Sequence, residues 1–494
     1  MRKGVFLLAI FVLCVVPALI AAEESFTSSD LPIVVIDTNG QGILDEPKID
    51  AWMGIIHNGS GSRNYLTDAY NVYNGRIGIE IRGSSSQYLP KKQYAVETRD
   101  EDGEDRDVSL LRMPEESDWV LYAPYIDKTL IRNNLAYKLA NDMGHYASRT
   151  QFCELVLNGD YVGIYVLMEK IKRGKNRVNI SKLKSDDVSG DDLTGGYIIK
   201  LDNLSGQNII GWFSEYESNG GYNYYQFHYP KQDDIVKEQK DYIQSYICRF
   251  EDLMADDNYN DSDKGYAAMI DVGSFIDFLI LTELSRNVDG FRLSTFMYKD
   301  KDSKVGKLTM GPIWDFDLAF GNAGYCDGGS ISGWQADFKY ESPHQVSFWW
   351  QRLRDDPAFQ NKLRTRWRFL RKNVLSKDAI NQAIDDISGV TSEARVRNFK
   401  RWPELFEEYI YPTVFQGETY EEEITYLKSW IDQRIDWIDQ QWQDCVRLFG
   451  DVNGDGDVNV NDAILALQTS VGRDVESTSF VCKKAAMKAD EISM

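Results

Sequence analysis

The sequence predicts an α+β protein in which strands come first, helices come last, and a small helical tail follows. Three patterns carry that reading. Apolar residues alternate in runs such as "GRIGIEIRG" and "QYAVET" between residues 31 and 202. Ile424, Leu427, Ile431, Ile435, Ile438 and Trp442 recur at steps of three and four, the stripe of a core-packing helix. Residues 451–462 set oxygen-bearing side chains around a glycine in a spacing that suits a hard cation, and an apolar helical segment follows.

At the start of the chain, Arg2 and Lys3 precede an unbroken apolar stretch from Gly4 to Ile20 that closes on Ala21 and Ala22. This is the pattern of a secretory signal peptide spanning residues 1–22. The run is short for a membrane-spanning helix and polar "EESFTSSD" follows, so the expected product is secreted or cell-surface, with no membrane span after cleavage. Cys14 leaves with the leader. Cys153, Cys248, Cys326, Cys445 and Cys482 are widely spaced and form no zinc signature, and export permits one or two bridges at most. The formal net charge of -22 argues against nucleic acid as a partner and favours solubility and divalent cations. With 28 Tyr and 12 Trp the chain is too aromatic for disorder, and that richness suits carbohydrate binding as well as a tyrosine-rich core.

The length accommodates one large domain, residues 30–446, and a tail, residues 450–494, because single cores stop growing near ~250–300 residues. "ELVLNGDYVGIYVLMEK" reads as a hairpin with Asn158, Gly159 and Asp160 at its tip. "DKTLIRNNLAYKLANDMG" has helical spacing at Leu130, Asn134, Leu135, Tyr137 and Leu139 and a Gly144 stop. "VGSFIDFLILTELSRN" reads as a buried helix, followed by the strand "STFMYKD", a charged turn and the strand "GKLTMGPIW".

The chemistry-bearing residues lie between these elements. "IRGSSSQYLPKKQYAVET" is a strand, a Gly/Ser-rich bend and a returning strand. Backbone N–H groups at Arg82, Gly83 and Ser84 could lie over phosphates while Lys91 or Lys92 reaches their oxygens. Pleating favours Lys92, which shares a parity with Tyr94 and Val96. Asp289 falls in a loop after the buried helix, and the next hairpin ends at Asp315, with Asp317 two residues on. On an extended chain both carboxylates would point the same way and share one or two cations; if the chain turns at Phe316, Asp317 caps the next segment. Glycine-rich hairpin, lysine, loop aspartate, hairpin, metal-type aspartate is the order of parts in protein kinases.

Together, "RGSSSQYLPKKQY", "GIYVLMEKI", "GGYIIKLD", "NVDGFRLSTFMYKD" and "PIWDFDLAFGN" resemble the CotH kinase family, named for a spore coat protein, over roughly residues 50 to 445. The resemblance implies an atypical protein-kinase-like fold, use of ATP and Mg²⁺ or Mn²⁺, and phosphorylation of serine or threonine on a protein substrate. It implies Asp289 as the catalytic aspartate, Asp315 as the metal ligand, and Glu169 near the nucleotide. Five residues after Asp289 this chain has Ser294, where the family pattern places an asparagine for a second metal.

In the tail, Asp451, Asn453, Asp455, Asn459 and Asp462 occupy loop positions 1, 3, 5, 9 and 12, Gly456 supplies the sharp turn, and Asp457 adds its backbone carbonyl. The loop is an EF-hand-type Ca²⁺ site. With Asp at its last position and the helix "AILALQTSVG" after it, the segment resembles a dockerin repeat, which implies docking to a cohesin-bearing scaffold; only one repeat is intact. Two other readings use the same residues. One is a non-catalytic binding or structural component of a dockerin/cohesin-type assembly. The other is a polysaccharide-degrading enzyme with paired carboxylates, in which the lysine hairpin would have no role. His57, His145, His228 and His344 stand in no nucleophile or zinc setting.

Overall fold

The computed structural model describes residues 26–204, 209–304, 306–341 and 343–442, with 460, 463, 464 and 467 besides. It is a mixed α+β structure. Residues 1–22, expected to be a leader, and Asp451, Asn453, Asp455, Asp457, Asn459 and Asp462, expected to hold calcium, lie outside the described residues. Among the described residues no helix is long and apolar enough to cross a membrane.

The first half closes into a barrel. A two-residue strand β1 (Ser28–Ser29) is followed by β2 (Ile33–Asp37) and β3 (Ile49–Ile56). After β4 (Asn64–Tyr65), which pairs with β1, come β5 (Tyr73–Arg82), β6 (Gln93–Thr98) and β7 (Asp118–Tyr122). Helix α1 (Arg132–Asp142) intervenes, and the hairpin β8 (Thr150–Leu157) and β9 (Asp160–Glu169) completes the set. The barrel order is β2-β3-β5-β6-β7-β9-β8, shut by the parallel pairing of β2 with β8. Period-two alternation sends Val34, Ile36, Met53, Ile55, Ile77, Ile79, Val96, Trp119, Leu121, Leu155 and Leu167 into one interior core.

The one-turn α2 (Gly190–Leu193) leads to β10 (Tyr197–Leu201), β11 (Gly211–Ser218) and β12 (Gly221–Tyr229), then the long helix α3 (Lys237–Ala255) and the buried helix α4 (Val272–Ser285). Strands β13 (Thr295–Lys299) and β14 (Leu308–Met310) finish a five-stranded antiparallel sheet, β11-β12-β10-β13-β14. The rest is helical: α5 (Trp349–Asp355), α6 (Pro357–Arg371), α7 (Lys377–Val390), α8 (Ala394–Arg401), α9 (Glu404–Glu407) and α10 (Tyr420–Trp442). The stripe on α10 buries Leu427, Ile431, Ile435 and Ile438 as its periodicity predicts.

Two features aim this scaffold at one place. Helix α4 is capped at its start by the Asp271 carboxylate, which accepts from Ser274 N, and ends at Arg286 in a left-handed turn (φ 46°) that throws the chain out toward Asp289. The antiparallel register pairs Leu201 with Thr295 and Met297 with Met310, so the residues after β10, before β13 and after β14 all emerge at the same end of the second sheet.

Among the described residues Cys153, Cys248 and Cys326 are free, and Cys445 and Cys482 lie outside them.

Candidate active site

The chain leaves β14 at Met310 and does not stay extended to Asp317. Asp315 adopts a left-handed backbone (φ 66°), a conformation that costs a non-glycine residue about 1–3 kcal/mol and persists only when its surroundings hold it. They do. Asp315 N donates to the Tyr137 hydroxyl at 3.3 Å and Phe316 N donates to Asn133 Oδ1 at 2.6 Å, both on α1. Asn287, just past the end of α4, donates its amide to Asp315 O at 3.2 Å, and Asn322 donates to Asp317 O at 2.7 Å. The backbone is thus bound on several sides while the two carboxylates are left to face the cleft.

Those carboxylates repel one another. Asp315 is exposed to solvent, with other charged groups close about it. Burial, then the charge of Asp289, push its carboxyl up to about 6, against a smaller opposing pull from Arg82; Asp202 adds to the push. Asp317, 8% exposed, is raised well above the usual carboxylate range by burial and then by Asp315, Asp127 and Asp289. Its one near donor is the Tyr122 hydroxyl at 3.4 Å. Asp289 is raised too, by burial foremost, with Arg292 opposing. Arg292 Nη2 holds Asp289 Oδ1 at 2.7 Å and is itself fixed by Val288 O at 3.1 Å and by the Tyr340 ring 4.0 Å beneath it. That leaves the second Asp289 oxygen available to a ligand.

A divalent cation fits this donor set. The Asp315 carboxylate accepts no hydrogen bond among the described residues, and no group of three or more His, Cys, Asp or Glu side chains there converges to hold an ion unaided. Two carboxylates supplemented by substrate oxygens and water is how Mg²⁺ is commonly bound, whereas Ca²⁺ wants a fuller cage. Asp315 and Asp317 are therefore the residues that could hold it.

The glycine-rich hairpin is present, and its glycine is required: Gly83 has φ 100°, and a Cβ there would fall 1.9 Å from Ser86 Oγ. Ser84 precedes a one-turn 3-10 helix, Ser85–Tyr88. Arg82, the last residue of β5, faces the carboxylates, with Asp315 first among the charges that act on it and its guanidinium 5.4 Å over the Trp314 ring. Trp314 packs on toward Tyr137 at 6.3 Å and serves as a wedge.

The two lysines are not brought to this cluster. The pleating that favoured Lys92 does not apply, because β6 begins only at Gln93. Lys92 Nζ closes its own loop on Gln87 O at 2.6 Å. Lys91 is the buried one: its Nζ donates to Ile164 O at 2.6 Å and to Asn398 Oδ1 at 2.8 Å, tying α8 to β9, and burial lowers its ammonium to about 7. Glu169 is likewise committed elsewhere, accepting from Arg149 Nη1 at 2.8 Å, Arg149 N at 3.0 Å and the Tyr146 hydroxyl at 3.2 Å, fully out of solvent. Ser294 sits with φ 48°, next to β13 and so beside Asp202 across the sheet.

Residues the sequence reading passed over complete the site. Asp202, the last letter of "GGYIIKLD", acts on Asp289, Asp315 and Arg82. Asn287 and Arg292 flank Asp289, and their spacing of two before and three after was the available signal. Lys170, directly after β9, pairs with Asp118 Oδ1 at 3.6 Å; burial lowers its ammonium, Asp118 opposes, and Lys48 and Arg82 add to the lowering. A 170 Å³ cavity lined by Met143, His145, Asp277, Phe278 and Ile313 among others lies behind the corner and shares none of these carboxylates.

A family model described as CotH kinase protein matches residues 79–438, a span that contains every one of these groups. No curated protein matches the chain.

Proposed function

Since the chain belongs to the CotH kinase protein family, we propose that it is a phosphotransferase that moves the γ-phosphoryl group of ATP to a serine or threonine hydroxyl of a protein. The observation that carries this reading is the opposition of charges in the cleft. Asp289 and Asp202 raise the Asp315 carboxyl, Asp315 and Asp289 raise that of Asp317, Arg82 opposes, and a metal–polyphosphate would satisfy both signs of charge at once.

In this reading Asp315 and Asp317 would hold Mg²⁺ or Mn²⁺, which when bound supplies charge neutralisation to the transferred phosphoryl group. Arg82 would meet the phosphate oxygens, with the Gly83–Ser84 turn over them. Asp289, its Oδ1 held by Arg292, orients the acceptor hydroxyl with its free oxygen. The new O–P bond forms as the bond to the ADP leaving oxygen breaks, and the hydroxyl proton passes to Asp289. The raised carboxyl of Asp289 suits that proton. The family's atypical protein-kinase-like fold is part of the proposal.

The leader supports export, and the 451–462 loop supports calcium binding and docking to a cohesin-bearing scaffold at the cell surface; both belong to the same proposal. A second reading, nucleotide or partner binding without turnover, draws on Ser294, a weaker metal ligand than asparagine. The experiment that separates them is transfer of labelled γ-phosphate to the protein itself and to a generic acceptor, with Mg²⁺ or Mn²⁺, in wild type and Asp315→Ala. Transfer lost in the variant supports the phosphotransferase; ATP binding without transfer selects the second reading.

A further inference from the structure

The outer face of the barrel, away from the carboxylates, carries a second constellation. The register sets Asp37 opposite Trp52 and Val35 opposite Gly54. The alternation that buries Ile36, Met53 and Ile55 turns these four outward. Gly54 has no side chain because the Tyr70 ring lies on it: a Cβ there would sit 2.4 Å from the ring. The result is a groove of about 520 Å³ walled by Trp52 and Tyr70, 45% and 37% exposed, with Asp37, Asn39 and Asn158 along it. That volume falls within the range of about 300–1,000 Å³ typical of ligand clefts.

The chemistry of the lining selects the ligand. Trp52 Nε1 already donates to Asn74 Oδ1 at 2.9 Å, so the indole is fixed and offers its face rather than its N–H. Asp37 Oδ1 accepts from Asn39 N at 2.7 Å, which orients the carboxylate and leaves Oδ2, with the Asn39 amide, without a partner among the described residues. The Asn158 amide is spent on Thr38 at 2.8 and 3.0 Å and stiffens the end of the groove. An orientated aromatic face beside a free acceptor suits a molecule with one apolar C–H face and hydroxyl donors at its edge. We propose that this groove binds a neutral oligosaccharide, a pyranose ring stacking on Trp52 and its hydroxyls donating to Asp37. A proline-rich peptide lacks N–H groups at its prolines and so leaves Asp37 Oδ2, an acceptor, unserved. An anionic glycan would meet Asp37 and a chain of net charge -22. The proposal stands independently of the phosphotransferase reading.

The test uses the full chain and neutral hexasaccharides of glucose, xylose and mannose, read by calorimetry, with a proline-rich peptide in parallel. One hexasaccharide should bind the wild type, and Trp52→Ala should weaken it by at least about tenfold, the scale of losing an aromatic anchor, with the melting temperature unchanged. Asp37→Ala gives a second reading that does not touch the aromatic wall and should also weaken binding. The proposal is overturned if no hexasaccharide binds, if both variants bind as the wild type does, or if the peptide binds in their place.

Discussion

Two acidic sites at the end of α4 make a useful contrast. Glu283, in the last turn of the helix, is 1% exposed and fully served: Gln335 N and Ala336 N donate to it at 2.9 and 2.8 Å, and Arg434 Nη2 at 3.1 Å. The rest of Arg434 is occupied by Glu283 O, Ile331 O and Gly333 O. Further along the chain Asp317, 8% exposed, is nearly as buried, yet among the described residues its one donor is the Tyr122 hydroxyl at 3.4 Å, while the more open Asp289 has one guanidinium on one oxygen and the exposed Asp315 has no donor. Burial alone therefore does not tell a structural acid from a functional one. What distinguishes them is how many donors the fold aims at each.

If that contrast is right, substitution should split stability from activity in opposite ways. The largest effect is expected in Asp289→Asn, with phosphoryl transfer falling about 10²–10⁴-fold, the range for a lost general base, while thermal unfolding stays where it was. Arg434→Met should do the reverse. Leaving Glu283 buried and unpaired costs about 3–5 kcal/mol, measured by urea unfolding, while turnover per folded molecule is kept. A fully active but undestabilised Arg434→Met would break the comparison. Arg82→Gln lies between, weakening ATP binding by about 10–100-fold, the worth of one or two hydrogen bonds to a charged group, with the KM for ATP as readout.

The smallest effect is the most diagnostic. The Asp315 carboxyl rises from 3.8 to about 6 on folding, so the folded state holds a proton that the unfolded state releases. The stabilisation is complete below pH 3.8 and is lost as pH rises through about 6. Because Asp315 is exposed to solvent, the change should stay below about 1 kcal/mol. Asp315→Asn should flatten that slope, and Mg²⁺ should oppose it by stabilising the ionised form. A slope unchanged in both cases would show the cluster to be ordinary surface acid.

The helices and the order of the aspartates between elements were legible because both are local. Most of the 424–442 stripe and the α4 run are buried as their periodicity says, and Asp289 and Asp315 are marked by the order of short motifs taken together. What was not legible depends on distant pairing or on where a strand begins. Lys91 and Lys92 differ only in parity, and parity means nothing until β6 starts at Gln93. Arg82 is marked in the sequence only for its backbone, and Asp202 looks like an ordinary strand end, until the fold sets both to act on Asp315. The α3 helix carried its own signal in Ile243, Tyr246, Ile247, Phe250 and Met254, all buried at helical steps.

Barrel closure by β2 and β8 has a consequence in time. Ile33–Ile36 pair with Glu154–Leu157, more than a hundred residues later. Loop closure over that distance is slow, and it cannot begin until β8 exists. At about 5–20 residues per second, one edge of β2 waits on the order of ten seconds during synthesis with its N–H and C=O groups unpaired. A chain held extended until β8 emerges escapes the mispairing that such an edge invites.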